Sequence, residues 1–360
     1  MASPDFDSIP ILDLNQATTN KQQLLSDLRH ALIHVGFFYI KNHPIPAAFL
    51  QALTAQTTGF FDLPLEEKHK SDKIHSPTFL GYSTQGNEIT KNKKDNREQF
   101  DFANELPAPA PNESVQRIHE HLTGPNLWPS SDVLPGFRQT ILEFHRQALD
   151  LSSELISLVA EALGLHPGAL LDQYVVPGQQ HRGKLIKYPA IDQLHQDDGD
   201  QGVGAHRDTA SLLTILYQAS DLPGLQVQNH AGHWIDAPAV PNTFVVNIGT
   251  GLEYLVRGVA VATTHRVLNP PARRGPRYSV AFFQGARLDR KLLPVDGLAP
   301  EVLELRKVDV VTDSGHQFSQ VYREDPGLYA VLNRISSHRD VGVKYYPELA
   351  QKHGITVGST

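Results

Sequence analysis

Cysteine is absent from the 360 residues, so disulfides, thiolate metal sites and thiol nucleophiles are all excluded. Zinc fingers, iron–sulfur clusters and thiol hydrolases go with them. A long apolar run is missing too: nothing approaches the roughly 20 residues that cross a bilayer as a helix. Basic charge is in short supply, 32 Lys and Arg against 39 Asp and Glu, and a formal charge of −7 argues against nucleic acid as a partner. Lys91-Asn92-Lys93-Lys94 is the nearest thing to a basic tract and reads as a solvated loop. Met1 to Asp7 lacks the basic-then-apolar pattern of a secretory signal, and Val357-Gly358-Ser359-Thr360 matches no C-terminal address. These absences lead us to expect a cytoplasmic protein with a small-molecule ligand and neither nucleic-acid nor membrane partner.

What is present is ordinary globular material, 40% hydrophobic and 20% charged, in a chain long enough for one large core or two domains. Leucines at 24, 25, 28 and 32 predict a helix over 21–35, stopped by Gly36. Phe37-Phe38-Tyr39-Ile40 then reads as a buried strand, after a shorter one at 9–14. Helices are expected over 47–60 and from Pro64, whereas 104–114, with Pro107, Pro109 and Pro111, reads as an irregular surface loop. Apolar residues at 141, 144, 148, 151, 155, 158 and 159 mark a long helix from Phe137 to Leu163, ended by Gly164. Beyond Gly183 the texture changes to short β-rich runs at 184–188, 202–206, 212–217, 225–228, 234–237, 244–248, 263–267 and 277–283. Turns such as Asp221-Leu222-Pro223-Gly224 separate them, so a sandwich, jelly roll or small barrel is expected. The organisation read from this is a leading α/β region (1–130), a connecting long helix (131–183), a β core (184–290) and a helical or looped tail (291–360).

Three motifs carry chemistry: His206-Arg207-Asp208, a lone His265, and Arg277-Tyr278-Ser279. Residues i and i+2 of an extended segment share a face, so His206 and Asp208 can reach one metal ion. His265 can join them only if the sheet closes back on itself. Two imidazoles and one carboxylate occupy a single face of a metal and leave the opposite positions open. That set suits Fe(II) better than structural zinc, and it also admits Mn, Co or Zn. With 18 histidines in the chain, His-x-Asp alone arises easily by chance, and its weight comes from its company. His230 and His233 sit in a turn with Asn229 and Gly232 and read as solvated turn residues.

Arg277 and Ser279 also share a face, and a guanidinium fork beside a hydroxyl is good chemistry for a carboxylate. Arg277 lies inside an apolar run, where burial is costly unless an anion meets it. The same parity turns Ala281 and Phe283 inward as an apolar wall.

Val203-Gly204-Ala205-His206-Arg207-Asp208-Thr209 resembles the first metal-binding strand of the Fe(II)/2-oxoglutarate-dependent dioxygenases, in the isopenicillin N synthase-like branch. Pro223-Gly224-Leu225-Gln226-Val227, Phe244-Val245-Val246-Asn247-Ile248-Gly249, Thr264-His265-Arg266-Val267 and Arg277 to Phe283 are similar to its later strands. Ile9 to Leu14 and Gly36 to His43 resemble its N-terminal region, so the likeness spans most of the chain. It implies a double-stranded β-helix (jelly-roll) core with flanking helices. It also implies Fe(II) on His206, Asp208 and His265, with no catalytic side chain beyond these ligands, and 2-oxoglutarate with its far carboxylate on Arg277 and Ser279. Lys187-Tyr188-Pro189 is similar to a family Tyr-Pro segment, which makes Tyr188 a hydrogen-bond donor in that pocket. Ile186 and Thr250 depart from the family pattern. The implied reaction couples O2 and conversion of 2-oxoglutarate to succinate and CO2 with hydroxylation, desaturation or ring formation on a metabolite, in specialised metabolism. Asp208 argues against halogenation, which needs that coordination position. Phe283 and Leu225 are expected at the substrate, with the 79–102 stretch over the mouth. The rival is an isopenicillin N synthase- or ACC oxidase-like oxidase that does without 2-oxoglutarate, the latter working with ascorbate; a non-catalytic receptor is a more distant alternative.

Overall fold

A computed structural model describes residues 5–90, 93–109, 117–191, 201–306 and 316–356. The sequence features at 1–4, 91–92, 110–114 and 357–360 lie outside the described residues. Strands in chain order are β1 (Ile11–Asp13), β2 (Phe37–Lys41), β3 (Gly81–Ser83), β4 (Ile89–Thr90), β5 (Lys93–Lys94), β6 (Glu98–Ala103) and β7 (Arg182–Tyr188). They continue as β8 (Gln201–His206), β9 (Ser211–Gln218), β10 (Leu225–Gln228), β11 (Trp234–Asp236), β12 (Thr243–Ile248), β13 (His265–Leu268) and β14 (Arg277–Gly285). Eight form one sheet in the order β1-β2-β12-β9-β14-β7-β6-β3, and four form a second in the order β11-β10-β13-β8. The two sheets make the jelly-roll core that the resemblance implies.

Alternation along the strands separates two apolar regions. Phe38 and Ile40 of β2, Phe244, Val246 and Ile248 of β12, and Val280 and Phe282 of β14 face the main core. There they meet the helix Phe137–Ala162 through Ile141, Phe144, Ala148, Leu151, Leu155 and Val159, the 3.6-residue stripe read from sequence. Fully burying such a side chain stabilises the fold by about 1.5–3 kcal/mol. The opposite phase, Phe37, Tyr39 and Val245, turns toward the second sheet and joins Val203, Leu225, Val227 and Val267. Arg277 and Ser279 of β14 lie opposite Tyr188 and Ile186 of β7, and these last two belong to that inner cluster.

Most elements fall where periodicity places them, including the helices Lys21–His34 and Ala47–Asp62. At the first boundary Gly36 takes φ +71, and a Cβ there would stand 2.3 Å from the Val261 carbonyl and from Thr263 Oγ1. No other residue fits so close to the segment that leads to His265.

Three expectations need correction. The 79–102 stretch is not a cover: β3 and β6 are members of the main sheet, β6 pairing with β7 from Glu98↔Lys187 to Ala103↔Arg182. Within it, Glu88, Ile89, Thr90, Arg97 and Asp101 border the cavity described below. The strand expected at 263–267 begins at His265, because the Thr263 hydroxyl and carbonyl are engaged with Val35 and His265 rather than with a neighbouring strand. A helix, Thr250–Leu255, intervenes after β12, where no helix is read from the sequence.

Candidate active site

His206 is the last residue of β8 and His265 the first of β13, and the two are cross-strand partners in the smaller sheet. Asp208 lies two residues past the end of β8, and its carbonyl accepts from Thr250 N at 2.8 Å. Strand pairing therefore sets the two imidazoles side by side, ring centroids 4.3 Å apart, and the turn after β8 brings the carboxylate between them. Nδ1 of His206 donates to the Gly204 carbonyl at 2.7 Å, and Nδ1 of His265 donates to the Thr263 carbonyl at 3.2 Å. Both Nε2 atoms are left facing Asp208 Oδ1, at 3.6 and 3.7 Å. One ligand atom from each residue lies within 4.8 Å of the other two.

Asp208 is held from behind. Its Oδ2 accepts from Thr214 Oγ1 at 2.5 Å and from Asn247 Nδ2 at 2.8 Å, which leaves Oδ1 to the shared space. Thr214 and Asn247 are themselves cross-strand partners on β9 and β12. Such partners behind a metal ligand fix its orientation. Burial alone would raise the Asp208 carboxyl, but His206, His265 and Asn247 hold it well below the ordinary carboxylate range. Burial, with His206 adjoining, brings His265 down to about 4, so its imidazole is neutral and ready to ligate at pH 7. The donor set is nitrogen and oxygen only and occupies one face, which fits Fe(II).

Arg277 is 0% exposed and Ser279 1%. Arg277 Nη2 donates to Gln218 Oε1 at 2.7 Å, while its Nε and Nη1 and the Ser279 hydroxyl have no hydrogen-bond partner. No carboxylate pairs with Arg277 among the described residues, and burial pushes its guanidinium below the ordinary arginine value. A buried cation with unmet donors beside an unmet hydroxyl is an arrangement that a bound carboxylate completes. The ring of Tyr188 lies 5.3 Å from the guanidinium carbon.

A cavity of about 710 Å³ opens beside the metal cluster, lined by His206 and Asp208 and on its walls by Ile186 and Phe283, while Arg277, Ser279, Tyr188 and His265 stand behind its lining. Leu225 does not line it. Its partner on β13 is Val267, one inward step beyond the Val227–His265 pair, so its side chain joins the apolar cluster between the sheets. Residues that the sequence did not reveal also line the cavity: Glu88, Arg97, Asp101, Arg182, Lys184 and, from the C-terminal helices, Arg334 and His338. Thr214, Asn247 and Gln218 were missed as well. Their only signal is a polar residue inside an otherwise apolar strand, as in Leu212-Leu213-Thr214-Ile215-Leu216.

Two sequence profiles match the chain. One is described as the N-terminal region of the non-haem dioxygenase in morphine synthesis, over residues 9–131, and the other as the 2OG-Fe(II) oxygenase superfamily, over residues 181–286. The chain is 42% identical over 355 residues to the 2-oxoglutarate-dependent dioxygenase frbJ of Dothideomycetidae sp. (strain 11243), covering 96% of this chain and 94% of that protein. It is 32% identical over 312 residues to the homoarginine-6-hydroxylase 2-ODD-C23 of Glycine max, covering 81% and 89%. A full-length Neurospora crassa protein solved in complex with alpha-KG and thymine matches with a TM-score of 0.68 at 28% identity, covering 83% of this chain and 92% of that one. With that likeness along nearly its whole length, the chain belongs to the Fe(II)/2-oxoglutarate-dependent dioxygenases, and it is an oxidoreductase that uses Fe(II), 2-oxoglutarate and O2 to oxidise a small molecule.

Proposed function

We propose that His206 Nε2, His265 Nε2 and Asp208 Oδ1 are the iron ligands, and that Arg277 and Ser279 receive the far carboxylate of 2-oxoglutarate. Tyr188 donates a hydrogen bond in the same pocket, and Phe283 forms part of the apolar wall on the substrate side. The observation that carries this reading is the buried Arg277 with Nε and Nη1 unpartnered beside an unpartnered Ser279 hydroxyl. A fold holding an unpaired buried guanidinium carries a penalty that a resident or co-substrate anion removes. The isopenicillin N synthase-like rival would use the same clamp for its substrate's carboxylate, so the preference for 2-oxoglutarate as the anion is supported by the matching profile and relatives.

Bound iron, with 2-oxoglutarate and O2, supplies the oxidising power; 2-oxoglutarate leaves as succinate and CO2, and the substrate loses a C–H bond to hydroxylation, desaturation or ring closure. The chain's own residues do the rest. Thr214 and Asn247 keep Oδ1 of Asp208 pointed at the metal position. The Gly204 and Thr263 carbonyls fix the imidazole tautomers. The walls of the cavity hold the substrate's reacting carbon in place and keep water away from it.

The substrate is proposed to be a small metabolite of specialised metabolism, a reading supported by the fungal relative and by the small molecules named for the soybean and Neurospora proteins. The region boundaries at about 130, 183 and 290 belong to this proposal, supported by profile matches that end at 131 and begin at 181. A cytosolic setting is proposed with it; among the described residues no helix is long and apolar enough to cross a membrane. Anaerobic titration of the Fe(II)-loaded chain with 2-oxoglutarate tests the reading. Keto-acid chelation produces a weak visible charge-transfer band, with one equivalent bound per chain. Absence of that band from folded, iron-loaded protein would reject the 2-oxoglutarate site and favour the rival oxidase.

A further inference from the structure

The wall of the cavity away from the Arg277 pocket carries more positive charge than it neutralises. Lys73 pairs with Asp101 at 2.6 Å; Lys184 pairs with Glu88 at 3.0 Å and Asp101 at 3.7 Å. Arg97 pairs with Glu88 at 2.6 Å and Asp95 at 2.9 Å. Three cations thus meet three carboxylates. His338 touches this network from the C-terminal side, 3.6 Å from Glu88, and burial with Lys73 nearby brings it down to about 3, so it adds no charge at pH 7. Arg182 and Arg334 are left over. Arg182 is 9% exposed, and its Nη2 donates to the carbonyls of Thr78 and Leu122 at 2.7 and 3.2 Å, while Nη1 has no partner. Arg334 Nε is likewise unpartnered; among the described residues no carboxylate stands within ion-pair distance of either arginine, and Asp101, with Glu88 for Arg334, acts on them only at longer range. Both line the cavity that also holds His206 and Asp208. Burial and the neighbouring Arg334 charge push the Arg182 guanidinium well below its ordinary value, against the opposing effect of Asp101.

This pair is separate from the Arg277 clamp. Inward-facing positions on β7 run Tyr188, Ile186, Lys184, Arg182, opposite Arg277, Ser279, Ala281 and Phe283 of β14. Six residues of strand place Arg182 about 20 Å from the Tyr188 end.

We propose that Arg182 and Arg334 form a second anion receptor for the substrate's own acidic group, so that the molecule oxidised is an organic anion reaching from these arginines toward the metal. This deepens the reading above and rests on it for the identity of the reacting end. The receptor explains why an acidic protein places guanidinium groups with no ion-pair partner in its cavity, and it selects acids over their neutral analogues.

The test is anaerobic calorimetry on the full chain loaded with Fe(II) and saturated with 2-oxoglutarate. Probes are matched pairs: indole-3-acetate, phenylacetate and octanoate with their primary amides, and phenyl and hexyl phosphate with phenol and hexanol. At least one acid is expected to bind about 10- to 100-fold more tightly than its neutral partner, the size of a charge-assisted contact to arginine. The arm in which the preference appears tells carboxylate from phosphate. Arg334→Met abolishes the preference and Arg334→Lys restores part of it. Arg182→Met does the same, and Arg334→Met keeps the test open if that variant misfolds; the 2-oxoglutarate charge-transfer band serves as the folding control. Acids binding no more tightly than their neutral partners, or a preference that survives Arg334→Met, would overturn the proposal. A chain that gives the 2-oxoglutarate band without acid preference loses this inference alone, whereas a missing band rejects the co-substrate reading by itself.

Discussion

Replacing Arg277 by methionine should make the protein more stable and at the same time useless as a 2-oxoglutarate binder. The guanidinium is fully buried, has two unmet N–H nitrogens and meets no carboxylate among the described residues. Each buried unmet donor costs about 1–3 kcal/mol, and exchanging a poorly compensated buried charge for an apolar side chain of similar length gains about 1–4 kcal/mol. The lost bond to Gln218 Oε1, 2.7 Å long, takes back about 1 kcal/mol. A net gain of about 0–3 kcal/mol follows. For 360 residues an unfolding entropy of about 2.1 cal/mol/K per residue converts this into a rise in Tm of up to about 4 °C. Binding moves the other way: two lost charge-assisted bonds, about 1.5–3 kcal/mol each, weaken 2-oxoglutarate by about 100- to 10,000-fold. The assay is differential scanning calorimetry of wild type and Arg277→Met, with and without 2-oxoglutarate, in anaerobic Fe(II) buffer. Wild type should gain Tm on adding the keto acid, and the variant should start higher and gain nothing. A variant that is less stable yet still responds to 2-oxoglutarate would refute the argument that Arg277 waits for an anion.

Asn247→Leu and Thr214→Val each remove one of the two bonds that hold Oδ2 of Asp208, and metal affinity measured by chelator competition should fall about 10- to 100-fold while the fold is retained. Unchanged affinity would mean the two side chains serve packing alone. Acid stability should depend on Asp101, whose carboxyl is brought down from 3.8 to about 2 by Lys184 and Lys73 against the opposing effect of burial. Since its pKa in the fold lies below that of the unfolded chain, it contributes about 2 kcal/mol that is complete above about pH 4 and disappears as the pH falls toward about 2. Denaturant midpoints across that window should slope less in Asp101→Asn than in wild type, and parallel curves would show that the network does not behave as described. Arg334→Met should remove any preference for acidic ligands in the calorimetric comparison of acids with their neutral partners.

How much of this was legible in the chain depended on whether the cause was local. The helix Phe137–Ala162 and the strands of the core announced themselves because one buried face repeats with the period of the element. The metal cluster was legible for a related reason, since His206 and Asp208 are near neighbours and His265 heads a strand paired with β8. Even so, Asp208 reaches the site through the turn after β8 rather than by strand alternation. β6 was missed because Glu98 and Asp101 look like surface charges in Glu-Gln-Phe-Asp-Phe-Ala. They are tolerable inside the sheet only because Lys68 and Lys73, some 30 positions away, neutralise them. The same holds for Arg182, Arg334 and His338: residues brought together from β7 and the C-terminal helices leave no pattern in sequence spacing. Leu225 does not border the cavity, because parity fixes a face but not the depth along it.

The claim on which the account depends is that two imidazoles and one carboxylate share an iron. Anomalous diffraction from crystals grown anaerobically with Fe(II) addresses it directly. A single iron peak is expected within about 2.0–2.2 Å of His206 Nε2, His265 Nε2 and Asp208 Oδ1, distances typical of such ligands. A peak elsewhere, or one bonded to fewer than these three side chains, would contradict it.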